Sequence, residues 1–303
     1  MKISIIGSGA MGSLFGGHLS EKHDVYLIDV WEDHINAINQ KGLTTLDKEG
    51  GEKITHPTGV LNSEKLPVMD LVLIFVKSIH TKQSMAQSKN IVGENTLVLT
   101  LQNGYGNDLD LMELVDPSHV VVGTTSHGCT ILEPGKIFHA GSGKTIIGPA
   151  TDGMAGVGVI AEVLRESGFE VEIKEDIKKL VFHKLFINTG INALTALLDV
   201  PNGEIGQDPY LKDAAQLLVD EAVQITNSLG YQFNEEEIFQ DVLDVSEATS
   251  ENKSSMRADV LNKRETEIDK INGAFVKIAE EQGLKAPANE LVRNLIRFLE
   301  SKF

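Results

Sequence analysis

The stretch KISIIGSGAMGSLFGGHLS, residues 2–20, decides the fold. A β-branched apolar run passes directly into a loop with glycines at 7, 9 and 12, and the loop opens onto a segment of helical character. In a dinucleotide fingerprint the first glycine makes the turn, the second admits the pyrophosphate, and the third lets helix and strand approach. The helix N-terminus then faces the phosphates with its unpaired N–H groups. A tight strand-to-helix turn could carry three glycines without any ligand. The position of the loop and the strands that follow favour a nucleotide, held by Gly7, Gly9 and Gly12 with Ala10 and Met11 completing the cofactor-binding loop.

Outward from this loop, short apolar runs alternate with helical patterns: DVYLID at 24–29, DLVLIFV at 70–76, TLVLTLQ at 96–102 and HVVVGTT at 119–125. Runs of this kind suit parallel strands buried on both faces with helices between them. An α/β fold follows, with an N-terminal Rossmann-type doubly wound sheet. Residues 42–62 read as a hairpin insertion, and GKIFHAGSGKTIIGPA at 135–150 as an antiparallel pair closing the domain near Pro149. From residue 176 apolar residues recur at three and four spacing over 176–198, 209–229, 234–247, 265–282 and 287–301. The expected organisation is a dinucleotide-binding domain over 1–175 and an all-helical C-terminal, substrate-binding domain over 176–303, with the small-molecule site in the cleft between them.

The 303 residues carry a formal charge of −17 and are 41% hydrophobic. That charge has the wrong sign for nucleic acid or an anionic membrane surface. No apolar run approaches the ~20 residues needed to span a bilayer. The single cysteine, Cys129, has no disulfide partner and sits where a packed thiol is expected, and the N-terminus lacks the parts of a signal peptide. A cytoplasmic protein is expected. The nine histidines form no HExxH or Cys/His cluster, so no metal is expected. The acidic NEEEIF at 234–239 reads as a solvated helix start, where carboxylates favour the dipole.

Asp29 ends the second strand twenty residues after Gly9, where a carboxylate would accept hydrogen bonds from the adenosine ribose hydroxyls. It would repel a 2′-phosphate, which favours NADH, although Lys77 after the strand LVLIFV could still reach a phosphate. A helix N-cap is the other reading of Asp29. In LVFHKLFINTGINALTALL, residues 180–198, Lys184, Asn188 and Asn192 fall on one side of an otherwise apolar helix. Such a stripe is either an exposed face or a site, since a lysine can polarise a carbonyl and protonate the alkoxide formed as hydride arrives. Asn103 and Gly104 in LTLQNGYG either make a turn or bring Asn103 to the nicotinamide and Lys184.

Four motifs, GSGAMG at 7–12, LQNG at 101–104, HKLFINTGIN at 183–192 and ENKSSMRADVLNKRETEIDKINGAF at 251–275, make the sequence resemble the ketopantoate reductase family over nearly its full length. The resemblance implies NADPH-dependent reduction of ketopantoate to D-pantoate, a step toward pantothenate and coenzyme A. It maps a general-acid lysine onto Lys184 and a substrate-binding glutamate onto Glu267, in the first turn of a helix. It places Asn188, Asn192, Asn252 and Ser255 against substrate, and Asn103 between cofactor and lysine. Family members using NADPH often carry an arginine after the second strand, where this chain has Asp29 and Val30. Some relatives with an acidic residue there are NAD-dependent D-2-hydroxyacid dehydrogenases acting on other 2-keto acids. The β-hydroxyacid dehydrogenases share the Rossmann domain but give no reason for the SSM and TEID residues, and a non-catalytic NAD sensor has no use for Lys184 and Glu267 together. The long helical domain could support a homodimer.

Overall fold

The computed structural model describes residues 1–151, 153 and 156–303. The chain divides into two compact units, Met1–Gln102 with Asn107–Lys178, and Asn103–Gly106 with Lys179–Phe303.

The first unit runs β1 (Lys2–Ile6), α1 (Ala10–Leu19), β2 (Asp24–Ile28), α2 (Glu32–Lys41), β3 (Leu43–Leu46), β4 (Glu52–Thr55), β5 (Thr58–Val60), β6 (Leu71–Ile74), α3 (Thr81–Gln87), β7 (Leu97–Thr100), α4 (Asn107–Met112), β8 (Val120–Thr125), β9 (Gly128–Glu133), β10 (Lys136–Gly141), β11 (Thr145–Pro149), α5 (Val157–Glu166) and β12 (Val171–Ile173). Eight strands form one sheet in the order β12-β11-β8-β7-β6-β1-β2-β5. The block from β8 to β5 is parallel throughout, and β11 pairs antiparallel with β8. All four residues of β6 are buried, as expected for a strand covered on both faces. The order reverses at β1, which lies between β2 and β6, and open α/β sheets bind ligands at such a point.

Residues 42–62 do hold a hairpin, β3 against β4 in the register Leu43↔Thr55 to Leu46↔Glu52. It belongs to a second sheet in the order β4-β3-β10-β9. The expected antiparallel pair within 135–150 does not form. β10 pairs with β9 and, in parallel, with β3, while β11 pairs with β8 and β12 in the large sheet. Both strands carry pairing-competent apolar patterns, and each finds a vacant strand edge in a different sheet, which local pattern alone does not reveal.

The glycine loop is dictated by close packing. Gly7 has φ +94°, and a Cβ there would run into the backbone nitrogen of Val76 beyond β6. A Cβ at Gly12 would strike the carbonyl oxygen of Gly7. Any side chain at either position forces the loop open.

The second unit is helical: α6 (Ile177–Leu198, entering from the first unit), α7 (Glu204–Gln207), α8 (Pro209–Asn227), α9 (Glu235–Ala248), α10 (Ser255–Leu261), α11 (Asn272–Glu281) and α12 (Pro287–Glu300), with one 3-10 turn at Ile268–Lys270. Its core is built around Phe182, Phe186 and Phe275, with Phe186 stacked on Phe275 at 5.7 Å. Asn234 caps α9 by accepting from the Glu237 N–H, ahead of three glutamates in the first turn, so NEEEIF is a helix start. The helix expected over 265–282 is shorter. Ile271 bends the chain at φ −106°, ψ −94°, and the Thr266 N–H is drawn away to Glu300 Oε1 at 2.7 Å. Glu267 therefore precedes a single 3-10 turn rather than sitting in the first turn of a helix. Among the described residues α6 is long and apolar enough, by length and composition alone, to cross a membrane, an exception to the expectation that no run approaches that length. Most of its apolar window is buried within the fold, as in a core helix.

Candidate active site

In the first unit the site is assembled by backbone groups. The Gly7 N–H donates to the Ile28 carbonyl at 2.8 Å, tying the loop to β2. The Ser8 N–H donates to Asp29 Oδ2 at 2.7 Å, and Asp29 Oδ1 accepts from the Trp31 N–H at 3.0 Å. Asp29 is thus not the N-cap of α2, which is Trp31. It clamps the glycine loop and begins the turn after β2, and each oxygen keeps a second lone pair for another donor. The N-terminus of α1, at Gly9, has no side-chain cap and no acidic residue in its first turn, the condition under which a helix terminus receives an anion. Ala10 and Met11 form that first turn.

Beside this loop lies a cavity of ≈ 300 Å³. Ile6, Ile28, Val30, Leu61 and Val76 make apolar walls, with Asp29, Asn62, Gln83 and Ser84 among the polar lining groups. Among the described residues its lining holds the Asp29 carboxylate and no lysine or arginine. Lys77 sits between Val76 and His80, which line the cavity, and is not itself a lining residue. The apolar slot, the carboxylate at its edge and the uncapped helix end fit the adenosine and phosphate parts of a dinucleotide. Leu61, Asn62, Gln83 and Ser84 carry no motif, and only the folding of the loop after β5 and of α3 brings them to the loop. Gln102 belongs to the LQNG motif, yet nothing in the sequence assigns its side chain a partner. Its amide donates to the Val76 carbonyl at 2.6 Å and to Thr81 Oγ1 at 2.8 Å, bracing the backbone against which Gly7 packs.

In the second unit, Lys184, Asn188 and Asn192 share one side of α6. His183 points elsewhere, to Asp241 on α9 at 2.8 Å. Burial pulls the Lys184 ammonium down to about 8 from its ordinary 10.5, and the Glu267 carboxylate pulls the other way. The structure thus brings Lys184 and Glu267 into electrostatic contact across more than eighty residues of sequence. Asn192 is buried, and its amide reaches Ser255 Oγ at 3.5 Å. The two serines of SSM divide: Ser254 is buried, caps α10 through the Arg257 N–H and meets Thr195 Oγ1 at 2.8 Å, while Ser255 is exposed. Asn252 is exposed, and its carbonyl accepts from the Asn202 N–H. Asn103 opens the four-residue segment that folds with this unit, whose Tyr105 N–H donates to the Lys270 carbonyl at 2.9 Å. Gly104, at φ +90°, comes so close to Lys270 that a Cβ would lie 2.7 Å from the lysine Cβ. The chain thus bends at Gly104, and Gly104 and Tyr105, just after Asn103, lie against Lys270, three residues beyond Glu267. Among the described residues no group of three metal-ligating side chains gathers.

The sequence matches the family described as ketopantoate reductase PanE/ApbA over residues 3–152, and its C-terminal domain over 176–300. The chain belongs to the ketopantoate reductase family. It is 36% identical to a 2-dehydropantoate 2-reductase of Pyrococcus horikoshii over 99% of this chain and 98% of the relative. It is 33% identical to one of Halobacterium salinarum over 99% of each. Among solved structures it resembles a D-mandelate dehydrogenase in ternary complex with NADH and anilino(oxo)acetate, with TM-score 0.93, 28% identity and coverage of 100% and 99%. A ketopantoate reductase of Ralstonia eutropha superposes with TM-score 0.92 at 26% identity over 100% and 99%.

Proposed function

We propose that this protein reduces ketopantoate (2-dehydropantoate) to D-pantoate with NAD(P)H, as a cytoplasmic oxidoreductase serving pantothenate and coenzyme A biosynthesis. The observation that carries the reading is Lys184, an ammonium brought to about 8 by burial and faced by Glu267. A bound nicotinamide supplies the hydride. Lys184 directs its ammonium at the keto oxygen, polarises the carbonyl and gives up one proton as the carbon–oxygen double bond becomes an alcohol. It is reprotonated from water between turnovers. Glu267 stabilises the charged lysine before transfer and accepts a hydrogen bond from a substrate hydroxyl. Asn188, Asn192, Asn252 and Ser255 hold the substrate through neutral donors and acceptors, and Asn103 orients nicotinamide and lysine. Residues 1–175 serve as the dinucleotide-binding domain and 176–303 as the substrate-binding domain, and the helical part offers surface for a homodimer.

The carboxylate of Asp29, in a lining without lysine or arginine, favours NADH over NADPH. Lys77 remains the one residue of the reading that would serve a 2′-phosphate. The same carboxylate supports a second reading, an NAD-dependent D-2-hydroxyacid dehydrogenase acting on other 2-keto acids, in line with the likeness to a D-mandelate dehydrogenase bound to NADH. Steady-state assays with ketopantoate and phenylpyruvate, each with NADH and NADPH, separate the readings. Turnover of ketopantoate supports the first. Turnover of phenylpyruvate alone moves the chain to the second, and turnover of neither favours a nucleotide-sensing role.

A further inference from the structure

We propose that His34 is a positioning residue for the dinucleotide: acting through Ser13, it fixes the Ser8–Gly9 peptide so that the Gly9 N–H is turned toward the pyrophosphate. The inference rests on the reading of the glycine loop as the nucleotide cradle.

The relay begins at the turn between β9 and β10. The Gly135 N–H donates to His34 Nδ1 at 3.0 Å. A ring nitrogen that accepts carries no proton, so the neutral imidazole holds its proton on Nε2. Nε2 lies 3.0 Å from Ser13 Oγ and donates to it. Ser13 in turn donates its hydroxyl proton to the Ser8 carbonyl at 2.8 Å. Three hydrogen bonds thus run from a turn of the small sheet, through α2 and α1, into the centre of the glycine loop.

Ser8, Ser13 and His34 are each fully buried, so water does not replace a missing partner in this chain. Burial holds His34 below its ordinary pKa against the pull of the Asp29 carboxylate and of the Ser8 carbonyl, which the ring also approaches, and so keeps the imidazole in the neutral form the relay requires. Trp31 stacks on the ring at 4.9 Å and 13°, fixing its plane.

The consequence for the loop follows from peptide geometry. In a trans peptide the carbonyl and the following N–H point in opposite directions. With the Ser8 carbonyl drawn inward to Ser13, the Gly9 N–H is directed to the other side of the loop. The preceding peptide is pinned by the Ser8 N–H on Asp29 Oδ2 at 2.7 Å. Side chains therefore set both peptides flanking Ser8, and a donor already oriented binds an anion without an ordering cost.

Two substitutions at His34 separate the arms of the relay. In His34→Gln the side-chain amide reaches the position of Nε2 and can still donate to Ser13, whereas His34→Asn reaches only the position of Nδ1 and keeps the Gly135 bond instead. Ser13→Ala removes the middle link with minimal change of volume. NADH binding is followed by quenching of Trp31, the chain's single tryptophan, and checked by calorimetry for the His34 variants, whose stacking differs. The melting temperature of each cofactor-free variant is measured alongside.

Ser13→Ala and His34→Asn are expected to weaken NADH roughly tenfold, with His34→Gln retaining most of the affinity, and with the loss in the cofactor KM rather than in kcat. Wild-type affinity in Ser13→Ala, or affinities that track melting temperature across all three variants, overturns the proposal and leaves a purely structural histidine. A wild-type chain that binds neither NADH nor NADPH overturns the nucleotide reading itself, and this inference with it.

Discussion

The pH dependence of turnover gives direct access to the lysine chemistry. Lys184 stands at about 8 instead of 10.5, and the displacement amounts to on the order of 3 kcal/mol against the charged form. A general acid works only while it holds its proton. The kcat/KM for the keto acid should therefore be level on the acid side and fall tenfold per pH unit above about pH 8. Glu267 raises the lysine against burial, so Glu267→Gln removes that support and moves the falling limb to lower pH. Substituting Lys184→Met should reduce kcat by roughly a factor of 10² to 10⁴, the usual worth of a positioned acid. Stability moves opposite to activity: the folded state releases this proton more easily than the unfolded chain, so between about pH 8 and 10.5 the unfolded state binds more protons and stability rises with pH. The assay is a set of initial rates across pH with ketopantoate as the varied substrate and saturating cofactor. A profile flat from about pH 7 to about pH 9.5, or a Glu267→Gln limb displaced to higher pH, refutes the assignment of Lys184 as the acid.

Other outcomes follow from single contacts. Asp29→Ala removes the acceptor for the Ser8 N–H together with the proposed ribose acceptor, and should weaken NADH roughly 10- to 100-fold while NADPH is affected less, as measured by parallel titration. Gly104→Ala places a Cβ at φ +90° against Lys270 and should cost about 1–3 kcal/mol in chemical denaturation, with a loss of activity if the turn carries Asn103 as proposed. Burial pushes the partly buried Cys129 thiol up to about 12, so alkylation at pH 8 should be much slower in the native protein than in the denatured chain; equal rates would contradict the packing of this thiol.

The parts of this protein legible in its sequence are those set by short-range rules. The order strand, glycine loop, helix at residues 2–20 can be read because Gly7 and Gly12 are required by backbone contact within that unit and its neighbouring strand. The helix start at NEEEIF announces itself because the Asn234 cap bonds within three residues of itself. Lys184, Asn188 and Asn192 fall on one side because helical spacing is local. What tertiary structure decided depends on contacts between distant segments. The run at 135–150 divides between two sheets because the edges that receive β10 and β11 are supplied by β3, β9 and β8. Glu267 looks in sequence like one more charge on a solvated helix, and the chain's bend at Ile271 together with α6 sets it against Lys184. His34 reads as an unremarkable helix residue, yet its two ring nitrogens join Gly135, 101 residues away, to Ser13, 21 residues away. A hydrogen bond across such a distance leaves no periodicity behind it, and only the folded chain makes it visible.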